Sequence, residues 1–378
     1  VVLTNWRYAW NNSADPRIVR AHSLVDAVAG VRPAVVRSAG SPDAPVLAYG
    51  GLSRGVIHVL DFLEQRRGGV PARTEHRSTW PELAHADAVS ETDILAVGMP
   101  VRRTPAPLPA HSVLAPLRIT LSVPIGRDFE PVLRRIARKA RQQYARELVA
   151  RERTLEVASS AVDFDHFYDG MHRPTMAVRH GAAARSVSRR TAWACLFRRG
   201  VLFFLCESGR RTAGMLCRLD GRTLVIRLAG VEGGGSTAYE SATYLALYIM
   251  IFQWATGRGV TRVDLSGCEP FLSKGLFQFK RKMHPEVALP ANHFGEQRLL
   301  LRVLRDRPPV RDFLVANPML AMFSEDGFEA VYFHDDQRPA RLDLRWECPG
   351  VSGKRLVHLD EFLDGLSAVG RPPRLSLR

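Results

Sequence analysis

The chain has 378 residues, 46% hydrophobic and 24% charged, which is enough for one large domain or two ordinary ones and too balanced for extended disorder. Lys plus Arg outnumber Asp plus Glu by 53 to 38, a formal charge of +15 supplied mostly by arginine, so either an anionic partner or an Arg-rich proteome explains the excess. The five cysteines, Cys195, Cys206, Cys217, Cys268 and Cys348, form no C-x-x-C pair; this speaks against a disulfide framework or a zinc site, and for buried thiols in a reducing cytoplasm.

In chain order, VVLTNWRYAWNN lacks the basic-then-apolar pattern of a signal peptide. PAVVRSAG, PVLAYGG, VIHVLDFLEQ and TDILAVGMP read as strand, strand, helix and strand, an α/β pattern. Met99 to Pro109 is basic and proline-rich and reads as a loop, and strand-like LRITLSVP follows. A long helix is expected from Phe129 to Arg153, with Asp128 as its N-cap and Val132, Leu133, Ile136, Ala140, Tyr144 and Leu148 facing the core. Arg134, Arg138 and Arg141 share one of its faces, and Arg135, Lys139 and Arg146 another. This basic surface is either a solvated face or a stripe that contacts the phosphates of tRNA or of a phosphorylated substrate.

Thr154–Ser159 reads as a short strand. Asp163 is expected to cap a short helix carrying Phe167, Tyr168 and Met171, which Pro174 ends or kinks. Four apolar runs between Arg190 and Val231, separated by RRG, ESGRR and LDGR, read as a meander of four strands. The loop GVEGGGS leads to a helix from about Thr237 to Thr256 and then to the strand VTRVDLSG. The longest apolar stretch, Leu245 to Trp254, is too short to span a bilayer and reads as a buried helix, so no membrane span is expected. A helix N-terminus and a strand C-terminus brought together this way commonly frame a ligand site in α/β folds. After Gln297 the pattern gives the strand LLLRVL, the helix VRDFLVANPML, the runs FEAVYF and ARLDLRWE, and a closing helix LDEFLDGLS.

Five phrases between about Phe129 and Pro290 occur in an order that resembles the FemABX-like branch of the GNAT-type acyltransferases. They are LRRIARKARQQYAR, FDHFYDGMHRPTMAVRHG, AGMLCRLDGRTLVIRLAGV, YLALYIMIFQWATGRGVTRVDLSG and FLSKGLFQFKRKMHPEVALP. The resemblance implies an α/β (α+β) fold of tandem GNAT-like halves, with mixed central sheets flanked by helices. It places an N-terminal half at 1–155, a C-terminal acyl-donor half at 156–295 and an extension at 296–378. It also implies acyl transfer to an amine without a separate cofactor. FemABX enzymes draw the acyl group from aminoacyl-tRNA, and other GNAT relatives draw it from acyl-CoA.

Amide formation needs a positioned amine, help with its proton, and stabilisation of the carbonyl oxyanion. By the resemblance, Phe279 and Lys280 in GLFQFKRKM match a Phe-Lys pair near the donor, and Arg281 and Lys282 extend that charge; a basic helix end over core phenylalanines is the plain alternative. Asp264, at the end of a strand, either handles the amine or caps the following turn, and Glu269 is an alternative base. Tyr168, His172, Arg173 and Arg179 fall in the phrase that contributes to the family's acceptor site, although Tyr168 also suits a packed core. Gly233 and Gly234 lie in a loop whose N–H groups could cradle donor phosphates. That loop lacks the [QR]-x-x-G-x-[GA] signature for acetyl-CoA, which favours an aminoacyl-tRNA donor.

The sequence has no G-x-S-x-G elbow, no Walker loop and no metal-binding His cluster, which leaves serine hydrolases and NTPases as poor readings. Three functions remain: an aminoacyl-tRNA-dependent transferase acting on a small-molecule or peptide amine, an acyl-CoA N-acyltransferase, and a non-catalytic RNA-binding protein. The sequence shows no long charged coiled-coil insertion of the kind that embraces tRNA in cell-wall FemABX enzymes, which points to a small-molecule acceptor.

Overall fold

A computed structural model describes residues 2–29, 34–85, 91–181, 186–235, 243–324 and 327–366. The chain divides into two compact units, each discontinuous in sequence. Unit 1 gathers Val1–Asn11, Thr120–Ser266 and Lys280–Val287, and unit 2 gathers Asn12–Ile119, Gly267–Phe279 and Ala288–Arg378. The expected segments 1–155, 156–295 and 296–378 are drawn differently. The strand Thr120–Pro124 pairs with Arg262–Asp264, so residues on both sides of position 155 share one sheet.

The strands in chain order are β1 (Ala34–Ala39), β2 (Leu47–Gly51), β3 (Ala72–Arg77), β4 (Ile94–Pro100), β5 (Ser112–Pro116), β6 (Thr120–Pro124), β7 (Arg153–Ala158) and β8 (Gly200–Glu207). They continue with β9 (Arg210–Asp220), β10 (Thr223–Val231), β11 (Arg262–Asp264), β12 (Glu286–Ala288), β13 (Gln297–Val303), β14 (Met319–Met322), β15 (Phe328–His334) and β16 (Val351–His358). Unit 2 holds a six-stranded sheet in the order β3-β1-β2-β4-β13-β5 and a three-stranded sheet β14-β15-β16. Unit 1 holds a seven-stranded sheet in the order β12-β6-β11-β10-β9-β8-β7. All three sheets mix parallel and antiparallel pairs, and helices flank them.

The two large sheets share a motif. In each, an antiparallel pair is followed by a helical crossover and a strand parallel to the second member: β1, β2, β4 in unit 2 and β9, β10, β11 in unit 1. The parallel pairs differ in length. β2 stays in register with β4 over its whole length, from Leu47↔Ile94 to Gly51↔Gly98. β10 and β11 pair only over Thr223–Val225, after which β10 takes a bulge between Ile226 and Leu228 and runs on to Val231 beside β9. The bulge aims the Arg227 side chain at the helix Val2–Asn12, where the Tyr8 hydroxyl accepts from Arg227 Nε and Nη2 at 2.9 and 2.6 Å. The strands therefore fork, and the fork opens beside β10.

The crossover helix Thr243–Ala255 of unit 1 is apolar on all sides and almost wholly buried, as expected of a helix with no solvent face. It is 13 residues long, against roughly 20 needed to span a bilayer, and no described helix is long and apolar enough to cross a membrane. All five cysteines are buried free thiols.

Four local expectations need correction. The long helix is two helices, Phe129–Arg135 and Arg138–Ala150. Ile136 and Ala137 take extended ψ values of 139° and 134°, and the Ala137 N–H donates to Lys282 O at 2.8 Å, so a tertiary partner takes a donor the helix would have used. The first run of the meander, Arg189–Arg199, is helical: Ser188 caps it, and Ala192, Cys195 and Leu196 bury one face at helical spacing. Ser160, and not Asp163, is the N-cap of the Ala161–Asp165 helix; Asp163 returns the bond as its capping-box partner. Pro174 does not end that segment: the helical run passes from the π-helical turn His166–His172 into the Arg173–His180 helix, with Pro174 just past the change of winding.

Gly230 shows how tightly the free edge of β10 is packed. A Cβ there would stand 2.5 Å from the backbone nitrogen of His172. Gly230→Ala should destabilise the fold by about 1–3 kcal/mol, the usual cost of overpacking. Urea unfolding should show a lower midpoint with an unchanged slope.

Candidate functional site

The fork of unit 1 is closed at its root by one residue. Ser266 lies two positions beyond β11 with φ of +64°, a left-handed conformation rare for a residue with a Cβ. Its hydroxyl donates to Ile226 O, the last carbonyl of β10 before the bulge, and so ties the two strands where they part. Its N–H donates to Asp264 Oδ1 at 2.8 Å. Its carbonyl accepts from Lys280 Nζ at 2.9 Å. Thr120 Oγ1, on β6, also donates to Asp264 Oδ1, at 3.2 Å. Asp264 and Lys280 are thus brought to the same residue from opposite sides. Lys280 is buried, with 3% of its surface exposed.

Asp264 does cap the following turn, one of its two expected roles, but both bonds fall on Oδ1. Among the described residues no hydrogen bond engages Oδ2, so the carboxylate keeps an oxygen for another partner. A backbone carbonyl, Ser266 O, is one of the groups that hold the Lys280 ammonium in place. An ammonium so placed can stabilise an oxyanion.

Past the bulge, β10 has lost its parallel neighbour, and its outward backbone groups bond to side chains instead. His172 Nδ1 donates to Ala229 O at 2.8 Å, and Thr175 Oγ1 accepts from Val231 N at 2.9 Å and donates to Val231 O at 3.4 Å. His172 Nε2 lies 2.6 Å from Ser186 Oγ, so both ring nitrogens are engaged. Burial holds its pKa below the ordinary histidine value. The Tyr168 hydroxyl donates to Val187 O at 2.8 Å, and burial raises its pKa. His172 thus supports the β10 edge, and Tyr168 joins the buried cluster that includes Phe164 and Met171. Arg173 and Arg179 stand exposed on the Arg173–His180 helix, Arg173 in an i,i+4 pair with Asp169.

The glycines of the donor loop divide. Gly233 has φ of +62° and open space around a Cβ, whereas a Cβ on Gly234 would meet the Pro174 backbone. The helix that follows is described only from Thr243, so the rest of the phosphate-cradle expectation lies outside the described residues. Arg281 is half-buried and Lys282 exposed in unit 1, and Phe279 is half-buried in unit 2. The helix break places Arg134, ion-paired to Glu130, on a different helix from Arg138, Lys139 and Arg141. Arg138 and Lys139 are exposed and Arg141 half-buried, so the expected stripe shrinks to one turn.

Glu269 belongs to unit 2 and is buried in an ion cluster, with Lys274 Nζ at 2.7 Å and His58 Nδ1 at 3.4 Å. Burial alone would raise its pKa, but the His58 hydrogen bond and the charges of Lys274 and Arg118 outweigh burial and hold it far below the carboxylate range. A carboxylate held so firmly as an anion is a poor proton acceptor at neutral pH. The sequence reading did not mark Ser266, Thr120 or Thr175. The Ser-Gly pair directly after DL was the available signal for the turn at Ser266. Among the described residues no group of His, Cys, Asp and Glu side chains could hold a metal ion.

No family model matches the chain, and no curated protein matches it. Solved structures similar to it include a C-terminal DUF2156 domain from Agrobacterium fabrum, at 14% identity over 79% of this chain and 90% of that one, with a TM-score of 0.36. FemX is similar at 12% identity, with 71% and 83% coverage and a TM-score of 0.40. L-PGS from Bacillus licheniformis is similar at 14% identity, with 81% and 97% coverage and a TM-score of 0.35.

His172 gives the fork a pH dependence of known sign. Its folded pKa lies below that of the unfolded chain, near 6.5. Its stabilisation is therefore complete above about pH 6.5 and is lost as the pH falls, because the unfolded chain takes the proton more readily. Wild-type protein should lose stability between pH 7 and 5 more steeply than His172→Gln, as read from denaturant midpoints at each pH. Parallel curves would show that the imidazole contributes nothing there.

Proposed function

We propose that the chain is an acyltransferase that forms an amide bond, taking an aminoacyl group from aminoacyl-tRNA and passing it to an amine of a small-molecule or peptide acceptor. One observation carries the reading: the Lys280 ammonium is pinned by Ser266 O at the root of the β10–β11 fork, with Asp264 on the same residue. In this reaction the acceptor nitrogen bonds to the donor ester carbon, and the carbonyl oxygen gathers negative charge. The ester C–O bond then breaks and releases the ribose hydroxyl. Lys280 supplies the charge that stabilises the oxyanion. Asp264 Oδ2 orients the amine and takes its proton, which returns to the leaving oxygen.

Two features favour this donor over acyl-CoA. An extended arm laid along β10 would need that strand's free backbone groups, as any added strand does. Here His172 and Thr175 already occupy Ala229 O and Val231 N and O. The excess charge of +15 and the exposed Arg138 and Lys139 suit a polyanionic donor better than a single cofactor.

The test is single-turnover transfer from charged tRNA and, in parallel, from acetyl-CoA, with an amine acceptor mixture and wild-type or Lys280→Ala protein. Transfer from tRNA alone is expected, and Lys280→Ala should lower its rate by about 100- to 1,000-fold, the usual cost of losing an oxyanion contact. Lys280→Arg, which keeps the charge, should retain more activity than Lys280→Ala. Transfer from acetyl-CoA and none from tRNA would replace this reading with a CoA-dependent N-acyltransferase. Salt-sensitive tRNA binding with no transfer from either donor would favour a non-catalytic RNA-binding protein.

A further inference from the structure

One face of the helix Pro16–Ala29 in unit 2 borders a cavity of about 300 Å³, at the lower end of the usual range for small-molecule sites. Pro16, Val19, Arg20, Ser23 and Leu24 line it, at the three- and four-residue spacing that keeps side chains on one side of a helix. Arg102 and Glu296 complete the lining. Arg102 belongs to the turn Val101–Arg103 that leaves β4, and Glu296 to the turn His293–Glu296 that enters β13. β13 pairs with β4 from Gln297↔Pro100, so both turns lie at the end of the sheet where the parallel strands β2 and β4 finish. Ligands of α/β folds commonly sit outside the carboxyl ends of parallel strands.

The charges that line this cavity do not pair. Among the described residues, no hydrogen bond or ion pair engages the side chains of Arg20, Arg102 or Glu296. Two guanidinium groups and one carboxylate thus share one space without the short contacts that would join them. A ligand carrying both signs can make those contacts itself, because a carboxylate accepts from a guanidinium fork and an ammonium donates to a carboxylate. Ser23, only 9% exposed, adds a hydroxyl that can donate or accept. Pro16, Val19 and Leu24 supply apolar surface for an aliphatic group. The neighbouring stripe of the same helix holds the wall in place. The Asp26 carboxylate accepts from Gln297 Nε2 at 2.7 Å, and the His22 ring stacks on His293 at 3.9 Å. The helix is therefore tied to the turn that carries Glu296, and a position fixed in advance lowers the ordering cost of binding.

We propose that this cavity binds a free amino acid with an apolar side chain, its carboxylate on Arg20 and Arg102 and its ammonium on Glu296. A lone carboxylate would leave Glu296 unanswered beside it, and a lone amine would face two positive charges, so the mixed lining selects the zwitterion. The site stands on unit 2 alone, and binding there does not depend on the transfer reaction proposed for unit 1.

Calorimetric titration of the full chain at low salt tests it with leucine, with isocaproate, which lacks the amine, and with leucinamide, which lacks the carboxylate. Leucine should bind saturably, and each analogue about tenfold or more weakly, the worth of one lost charge-assisted contact. Arg102→Gln should weaken leucine by about the same factor. Glu296→Gln should weaken leucine and leave isocaproate bound no worse than before. Arg20 and Arg102 are exposed, so their glutamine variants should keep the wild-type urea midpoint. Arg210→Gln, on the surface of unit 1, should leave leucine binding unchanged. A readout on wild-type protein needs no variant: the carboxyl carbon resonance of Glu296 should move as leucine is added. An absence of saturable leucine binding, isocaproate bound as tightly as leucine, a Glu296 signal that stays still, or leucine binding that survives both Arg102→Gln and Glu296→Gln would overturn the proposal.

Discussion

The architecture of unit 1 turns on the parting of two parallel strands. β10 and β11 hold together for three residue pairs and then separate, because a bulge at Arg227 shifts the register of one while the other ends at Asp264. Parting exposes backbone groups that must find partners, and the surrounding residues answer that demand. Ser266 accepts an unfavourable φ in order to bridge the strands, and Asp264 and Lys280 fix its two backbone polar groups. His172 and Thr175 take the groups further along β10. The candidate catalytic residues are thus part of the arrangement that holds the fork open. Rigid support of this kind is what a transition-state contact requires.

Unit 2 repeats the motif without the fork. Its parallel pair stays zipped from Leu47 to Gly51, and the space beyond is closed by packing: the buried Tyr49 hydroxyl bonds to Leu52 O at 2.6 Å, against glycines at 55 and 98 that have no side chain to obstruct it. The polar chemistry of unit 2 gathers at the β4–β13 end instead, where Arg102 and Glu296 line a cavity. One supersecondary plan therefore supports two different environments, a backbone-lined fork and a cavity lined by charged side chains. Fold alone would not have told them apart.

Much of the fold could be read from the sequence, and the misses have physical causes. Alternating and all-apolar runs located β1, β2, β4 and β8 to β11, because period and turn chemistry agree there. Ala192, Cys195 and Leu196 were read as a strand because a short apolar run has no distinct period until its neighbours choose a buried face. The break at Ile136–Ala137 carries no Gly or Pro, since a carbonyl from Lys282 causes it and no local preference does. Lys280 and Asp264 were legible through the resemblance, and the structure joins both to Ser266. Tyr168 and His172 carry polar groups inside a mostly apolar phrase, and the structure engages them with Val187 O and Ala229 O. The cavity of unit 2 was invisible, because Arg20, Ser23, Arg102 and Glu296 are scattered along the chain and each is unremarkable alone.

The chain order of unit 2 has a consequence for biosynthesis. β13 lies between β4 and β5 in the sheet, yet nearly the whole of unit 1 is encoded between β5 and β13. The ribosome therefore delivers an interior strand of the six-stranded sheet last, about 10 to 40 seconds after its two neighbours at ordinary elongation rates. Through that interval β4, buried along its full length in the finished fold, waits with one edge unpaired. Unit 1 needs only the short Val1–Asn11 segment from outside its two C-terminal stretches and can close first. The nascent chain thus passes through a state in which the fork is complete while its companion sheet is still an open template, and chaperone capture would matter most at that stage.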